Sequence, residues 1–275
     1  MAEVVPESDE QSYQHFLSNS PWNERPVLDQ VAREADRLLG GSAQSALILD
    51  GTAFGTKGKK SVGVARQYSG RQGKVDNCQV GVFAVLSHGD RGVLVDQRLY
   101  LPAEWTSDPA RCDAAGVPKA HQVLKTKPRL ALEMIRHQRR QGVRFAWVGA
   151  DGEFGNDPAF LRALDDDGET FVIDVHRDQR VYLEDPRPQV PPRQGKRGKA
   201  PTRLKARTEP IEVQQWKQEQ PESAWKTVEL RDSTKGKLRV QVLHRRVWLW
   251  DGEEAPARQW HLLVRREIDE GAALF

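Results

Sequence analysis

Two short apolar runs, each ending in Asp-Gly, constrain this chain more than any other feature. "SALILDG" spans residues 45–51 and "VRFAWVGADG" spans residues 143–152. A continuous apolar run of this length, bounded by turn residues, reads as a buried strand. Buried strands of this kind belong to α/β sheets, and open sheets of that class build their sites at the carboxyl ends of strands. Asp50 and Asp151 each hold such an end. One aspartate after a strand is most often a turn or cap residue. Two in matching settings weaken that reading and point to a site.

The remaining pattern fills in the sheet. "SVGVARQYS" (61–69), "NCQVGVFAVLSHGD" (77–90) and "GVLVDQRLYLP" (92–102) read as strands with short connections, an antiparallel meander. "TKPRLALEMIRHQRRQG" then reads as a helix, with Pro128 in its first turn, basic residues toward its end and Gly142 as its stop. Asp157 and Pro158 open a second helix as N-cap and first helical residue, and "ETFVIDVH" (169–176) is one more strand. The order β-β-β-α-β-α-β predicts a mixed sheet whose later strands are joined through helices. Ahead of it, residues 1–44 form a polar helical lead-in, with Val27, Leu28, Val31 and Leu38 at helical spacing, closed by Gly40 and Gly41.

Beyond residue 178 the chain changes character. Residues 186–207 hold eight Lys/Arg and no acid, on a proline-rich background that reads as a disordered, solvated linker. A β-rich block follows with Trp216, Trp225, Trp248, Trp250 and Trp260, five of the chain's eight tryptophans, among Lys and Arg. Most of these are expected to form the small core of that block. An exposed residue there, such as Trp250 or Arg245, is a candidate to hold a DNA hairpin or a flanking strand.

Two carboxylates at adjacent strand ends repel unless a cation lies between them. Mg²⁺ takes hard oxygen ligands and keeps positions open for water and phosphate, and Mn²⁺ is the alternative. Two such ions ~3.5–4 Å apart clamp the attacking and leaving oxygens of a phosphodiester. A nucleotide loop is excluded on spacing: Gly58-Lys59 is followed by Lys60 rather than Ser or Thr, and the position five before Gly58 is Ala53. The basic segment "GTKGKK" instead offers Lys57, Lys59 and Lys60, with Arg66 on the next strand, to a nucleic-acid backbone. Taken alone, a lysine run is most often a solvated face.

Several classes drop out. Cys78 and Cys112 form no C-x-x-C, so neither a zinc site nor a disulfide framework is indicated, and a reducing cytoplasm fits. No apolar run nears the ~18 residues of a membrane span, and the N-terminus lacks a signal peptide pattern, so no membrane partner is expected. The seven histidines show no ligand-like pairing.

"LDGTAFGTKGKKSVGVARQYSGRQGKVDNCQVGVF", "RLYLPAEWTSD", "KTKPRLALEMI" and "GADGEFGNDPAFLRAL" together resemble the DDE-type endonuclease domain of bacterial insertion-sequence transposases. The resemblance implies an RNase H-like core that cuts and rejoins DNA with two Mg²⁺ ions held by Asp, Asp and Glu, the first acid being Asp50 and the second Asp151. It divides the chain into a remnant N-terminal region (1–44), the catalytic core (45–178), a basic linker with a β-rich insertion (179–262) and a truncated return to the core (263–275). Terminal-repeat and target DNA are the implied partners, with a homodimer as the working form.

The third acid belongs on a later helix with a Glu-Arg pair, and no such pattern follows the last strand. Glu267, Asp269 and Glu270 are late acids in or just past a predicted strand, and Glu153 reads as a loop carboxylate. The expectation is therefore a truncated, frameshifted or split transposase. Its alternatives are a DNA-binding remnant impaired in catalysis, and an RNase H-like nuclease unrelated to transposition.

Overall fold

A computed structural model describes residues 9–20, 23–193, 195, 199–233 and 236–268. The chain forms two compact units, residues 1–150 with 163–172 and residues 151–162 with 173–275. No described helix is long and apolar enough to cross a membrane.

The first unit begins with helices α1 (Glu10–Ser18) and α2 (Glu24–Leu39), then strands β1 (Ala46–Gly55), β2 (Ala65–Ser69), β3 (Lys74–His88) and β4 (Arg91–Tyr100). Helices α3 (Ala103–Thr106), α4 (Pro109–Ala114) and α5 (Lys127–Arg140) lead to strand β5 (Trp147–Ala150). In chain order there follow α6 (Gly152–Gly155) and the first part of α7 (Pro158–Asp166), both in the second unit, then the rest of α7 and most of β6 (Phe171–Ile173), in the first. The sheet runs β2-β3-β1-β5-β6, with β4 also paired to β3. β1 is antiparallel to β3 and parallel to β5. This is a mixed α/β sheet flanked by helices, consistent with an RNase H-like core.

The expected meander needs correction. β1 and β2 are successive in sequence but lie on opposite edges of β3, where Cys78 pairs with both Gly55 and Ala65. Residues 56–64 therefore cross over β3 near Asn77 and Gln79 and are not a hairpin turn between neighbours. β1 also runs five residues past Asp50, while β5 begins only at Trp147. The run before Trp147 is spent otherwise: Val143 N–H closes the end of α5 on Gln138 at 3.0 Å, and Phe145 packs under the Arg139 guanidinium, 3.4 Å from the ring centre.

Strand alternation gives the sheet two different faces. Leu47, Leu49, Val80, Val82, Ala84 and Leu86 point to one face and are fully buried. α2 and α5 pack on the sheet, α5 contributing Leu130, Ala131, Met134 and Ile135 to the core. Thr126 caps α5 through the Arg129 N–H at 3.2 Å, as Asn23 caps α2 through Arg25 at 2.9 Å.

The buried stripe of α2 differs from the expected one. Val27, Val31 and Leu38 are exposed, while Ala32, Ala35 and Leu39 are buried. The same stripe carries charge. Arg25 Nη1 reaches Asp96 Oδ1 at 2.9 Å, Asp29 meets His137 Nε2 at 2.7 Å, and Asp36 accepts Arg144 N–H at 2.7 Å. Small residues and ion pairs, rather than large apolar ones, dock this helix, so residues 24–39 are built into the first unit.

The second unit adds β7 (Arg180–Val181), β8 (Ile211–Glu212), α8 (Val213–Gln218), β9 (Lys226–Ser233), β10 (Gly236–Leu249) and β11 (Arg258–Glu267). β7 pairs with β8, and β11-β10-β9 form a separate antiparallel sheet. Val181, Val213, Trp216, Trp225, Leu243, Val247 and Leu262 make its core, which places Trp216 and Trp225 as packing residues. The basic stretch is less open than a free linker. Gln189 and Lys205 exchange two backbone bonds of 3.1 and 3.0 Å, and Arg207 N–H reaches Pro186 O at 2.7 Å. These bonds fasten its two ends together.

Gly155 in "DGEFG" is fixed by packing rather than by a need for flexibility. A Cβ there would lie 1.9 Å from the carbonyl oxygen of Asp174. Gly155→Ala is expected to lower stability by about 3 kcal/mol, the upper range for overpacking, as measured by denaturant unfolding.

Candidate active site

Asp50 lies on β1 opposite Phe83 of β3, exposed, on the face opposite the core. Asp50 is therefore inside a strand rather than at its end, which corrects the sequence reading. What ends there is the parallel ladder: the β1–β5 pairing runs from Ala46↔Trp147 to Leu49↔Ala150, and the next residue on each strand is Asp50 or Asp151. Asp151 is exposed and caps α6, its Oδ1 accepting the Glu153 N–H at 3.0 Å. It is thus a cap residue, as the plain reading of a post-strand aspartate expects, and the cap fixes the direction of its carboxylate.

The segment after β1 is held from its backbone. Asn77 Nδ2 donates to the carbonyls of Thr56 and Gly58, both at 2.7 Å. Gln79 Nε2 donates to Val62 O at 2.6 Å, Gln67 Nε2 to Gly63 O at 3.1 Å, and Trp105 Nε1 to Val64 O at 2.8 Å. Arg111 stacks on the Trp105 ring at 3.9 Å and donates to Lys59 O at 3.0 Å. With these carbonyls satisfied by protein donors, the loop offers solvent its cations, and Lys57, Lys59 and Lys60 are all exposed. Asn77→Ala is expected to speed amide hydrogen exchange across residues 56–64 by at least tenfold, the effect of losing two side-chain bonds worth about 1 kcal/mol each.

None of these fastening residues was singled out in the sequence. A signal was present: Asn77 and Gln79 are polar at alternate positions directly before the apolar run of residues 80–86, which marks side chains with a local partner. Arg66 is exposed on β2, its Nη2 3.4 Å from Val75 O.

Arg245 and Trp250 belong to the second unit. Arg245 is exposed on β10, opposite Leu262. Trp250 is half-buried, donates its indole N–H to Glu254 O at 2.7 Å and meets Tyr182 edge-on at 6.3 Å. That commits part of the ring to local packing, so Trp250 is half-buried rather than the exposed residue expected. Beside it Arg162 binds Asp251 at 2.5 Å. Burial pushes the Asp251 acid up, but the Arg162 bond and the Glu253 N–H outweigh burial and hold it below the usual carboxylate range. A depressed aspartate stabilises the fold above its unfolded pKa of ~3.9, and the contribution is lost as pH falls through its lower folded value. In acid unfolding, wild type is expected to lose its stability advantage over Asp251→Asn progressively as pH falls below the unfolded value of ~3.9.

Among the described residues, no group of three or more His, Cys, Asp or Glu side chains is placed to hold a metal ion. Glu267 lies on β11, and Asp269 and Glu270 fall outside the described residues.

The chain thus has a mixed α/β sheet whose central parallel ladder is followed on each strand by an aspartate, and a basic loop held from its backbone. The DDE superfamily endonuclease family matches residues 1–237, and the chain belongs to that family. Over 184 residues the chain is 28% identical to a protein described as a probable transposase for insertion sequence element IS701, from Microchaete diplosiphon. That alignment takes in 66% of this chain and 45% of the relative, so the chain spans under half the length of the curated relative it matches.

Proposed function

We propose that the chain acts as a transposase-type DNA endonuclease and strand transferase, cleaving and rejoining DNA at insertion-sequence ends. The observation that carries this reading is the β1–β5 register, which brings the parallel ladder to Leu49↔Ala150 with an aspartate next on each strand. Membership of the DDE endonuclease family, whose members use divalent metal ions, supports it.

The donor set fits such an ion. Asp50 and Asp151 offer exposed, hard carboxylate oxygens, the ligand type Mg²⁺ and Mn²⁺ prefer. When bound, the metal supplies Lewis acidity at the scissile phosphate and an activated water. The chain's own residues do the rest. Asp50 and Asp151 would hold the ion, the Glu153 N–H orients Asp151, and Lys57, Lys59, Lys60 and Arg66 would bind the DNA backbone, with Arg245 contacting flanking DNA.

The absence of a third acid around this pair among the described residues favours a second reading, a DNA-binding remnant impaired in cleavage. The test is nicking of terminal-repeat DNA by the 275-residue chain with Mg²⁺ or Mn²⁺, against an EDTA control. Metal-dependent nicking at the repeat supports the transposase. Binding without nicking leaves the remnant, and cleavage without repeat preference supports a nuclease unrelated to transposition. Gel filtration with and without terminal-repeat DNA tests the homodimer.

A further inference from the structure

The sheet face that carries Asp50 also carries a line of exposed aromatic and basic side chains that the metal site does not use. Register and alternation place them. Asp50 lies opposite Phe83, Phe54 opposite Gln79, Arg66 opposite Asn77 and Tyr68 opposite Val75, all on the same face because each is opposite an odd-numbered residue of β3. Tyr68 is 63% exposed, Phe54 52% and Val75 50%. Beside Phe54 and Arg66 the opposite face is core, with Cys78 and Val80 buried, while nearer Tyr68 it carries the half-exposed Asp76.

The line alternates in chemistry as well as in position. From the row of Asp50 it passes Phe54, then the lysine loop, which Asn77 and Gln79 hold over β3 on this same face, and beyond the loop reaches Arg66 and Tyr68. Phe83 supports Phe54 edge-on at 6.0 Å, and its ring lies over Gly81, where a Cβ would come within 2.7 Å of it. The nine residues from Phe83 to Val75 span roughly 26 Å of strand in eight steps, the length of about eight stacked nucleotides. Exposed aromatics on a sheet face expose the chain to aggregation, so two in one line call for an occupant.

Charge complementarity selects that occupant. Aromatic rings interleaved with Arg and Lys match a polyanion with free π-faces, and paired bases in a duplex present no such faces. We infer that Phe54, Arg66 and Tyr68 form a track that holds a single-stranded stretch of DNA leading to Asp50. This rests on the proposed function and adds to it the strand state of the DNA and the residues that read it. Stacking on each ring contributes ~1–3 kcal/mol per base and tolerates any sequence.

The experiment is fluorescence anisotropy on the full chain with a labelled single strand of about 12 nucleotides, the matching duplex and the matching RNA, a length within the usual range for such grooves. Tyr68→Ala is expected to weaken single-strand binding about tenfold, Phe54→Ala similarly, and Tyr68→Phe by less than about twofold, since the ring remains. Duplex affinity should not change in any of the three. Because Tyr68 is largely exposed, its variants should melt with wild type, and Tyr68→Phe keeps the test sound if Tyr68→Ala does not. Equal single-strand affinity in wild type, Phe54→Ala and Tyr68→Ala, with duplex binding intact, overturns the track and leaves the proposed function standing. RNA bound more tightly than DNA overturns it too. A wild-type dimer that Tyr68→Ala dissociates without changing DNA affinity would make the face an interface between copies and overturn the inference. Wild type binding neither form of DNA would instead sink the proposed function itself.

Discussion

Asp50→Asn is expected to lower metal-dependent nicking of DNA by about 10³-fold, the several kcal/mol of charge stabilisation that a bound metal supplies, while duplex affinity stays near that of wild type. The same holds for Asp151→Asn. An amide keeps the size of the side chain and one acceptor oxygen but removes the negative charge that holds a divalent cation. Asp50 is exposed on β1 and paired through the backbone with Phe83, so the substitution leaves the strand intact. Asp151→Asn retains an oxygen able to accept the Glu153 N–H, since Asn caps helices as well as Asp. Neither variant should therefore melt early. In the proposed function backbone affinity comes from lysines and arginines elsewhere, so binding and cleavage should separate. Nicking of supercoiled DNA with Mg²⁺, measured beside anisotropy on the same preparations, reads both quantities.

The largest effect on stability is expected at Asp96→Ala, a loss of about 3 kcal/mol or more. Asp96 is fully buried on β4, with Arg25 of α2 at 2.9 Å, a close contact to Arg98, and Gln138 of α5 at 3.1 Å. Removing the carboxylate leaves two partly buried guanidinium groups and an amide without their common acceptor. The cost is that of uncompensated polar groups rather than of one lost bond. Arg25→Ala should cost less, about 1–2 kcal/mol, because Arg98 and Gln138 still neutralise and bond the aspartate. Denaturant unfolding of both variants gives the comparison. A loss below about 1 kcal/mol for Asp96→Ala would place it among ordinary surface changes and contradict the role given to this cluster.

The two apolar runs were sufficient to mark two buried strands, each carrying or followed by an aspartate, because burial requires consecutive large side chains whatever the tertiary context. Pro128, Gly142, Asp157 and Pro158 likewise marked helix ends, since capping is a local interaction. Order across the sheet was not legible. That β2 lies beyond β3 from β1 depends on pairings between residues far apart in sequence, such as Cys78 with both Gly55 and Ala65. α2 was misread for a related reason. Its buried stripe includes Arg25, Asp29 and Asp36, whose partners Asp96, His137 and Arg144 lie 71 or 108 residues away. Hydropathy alone counts such residues as surface. The lysine loop showed its charge in the sequence but not its fastening, because Asn77, Trp105 and Arg111 act on backbone carbonyls that carry no sequence signal of their own.

That Asp50 and Asp151 hold a divalent cation together is tested most directly by calorimetric titration of Mn²⁺ into wild type, Asp50→Asn, Asp151→Asn and the double variant. A shared site predicts that each single variant loses most of the binding and that the double variant loses little more, a strongly non-additive cycle. Losses that simply add, or Mn²⁺ binding unchanged in either single variant, would mean that the two acids do not share a metal and would contradict the proposed site.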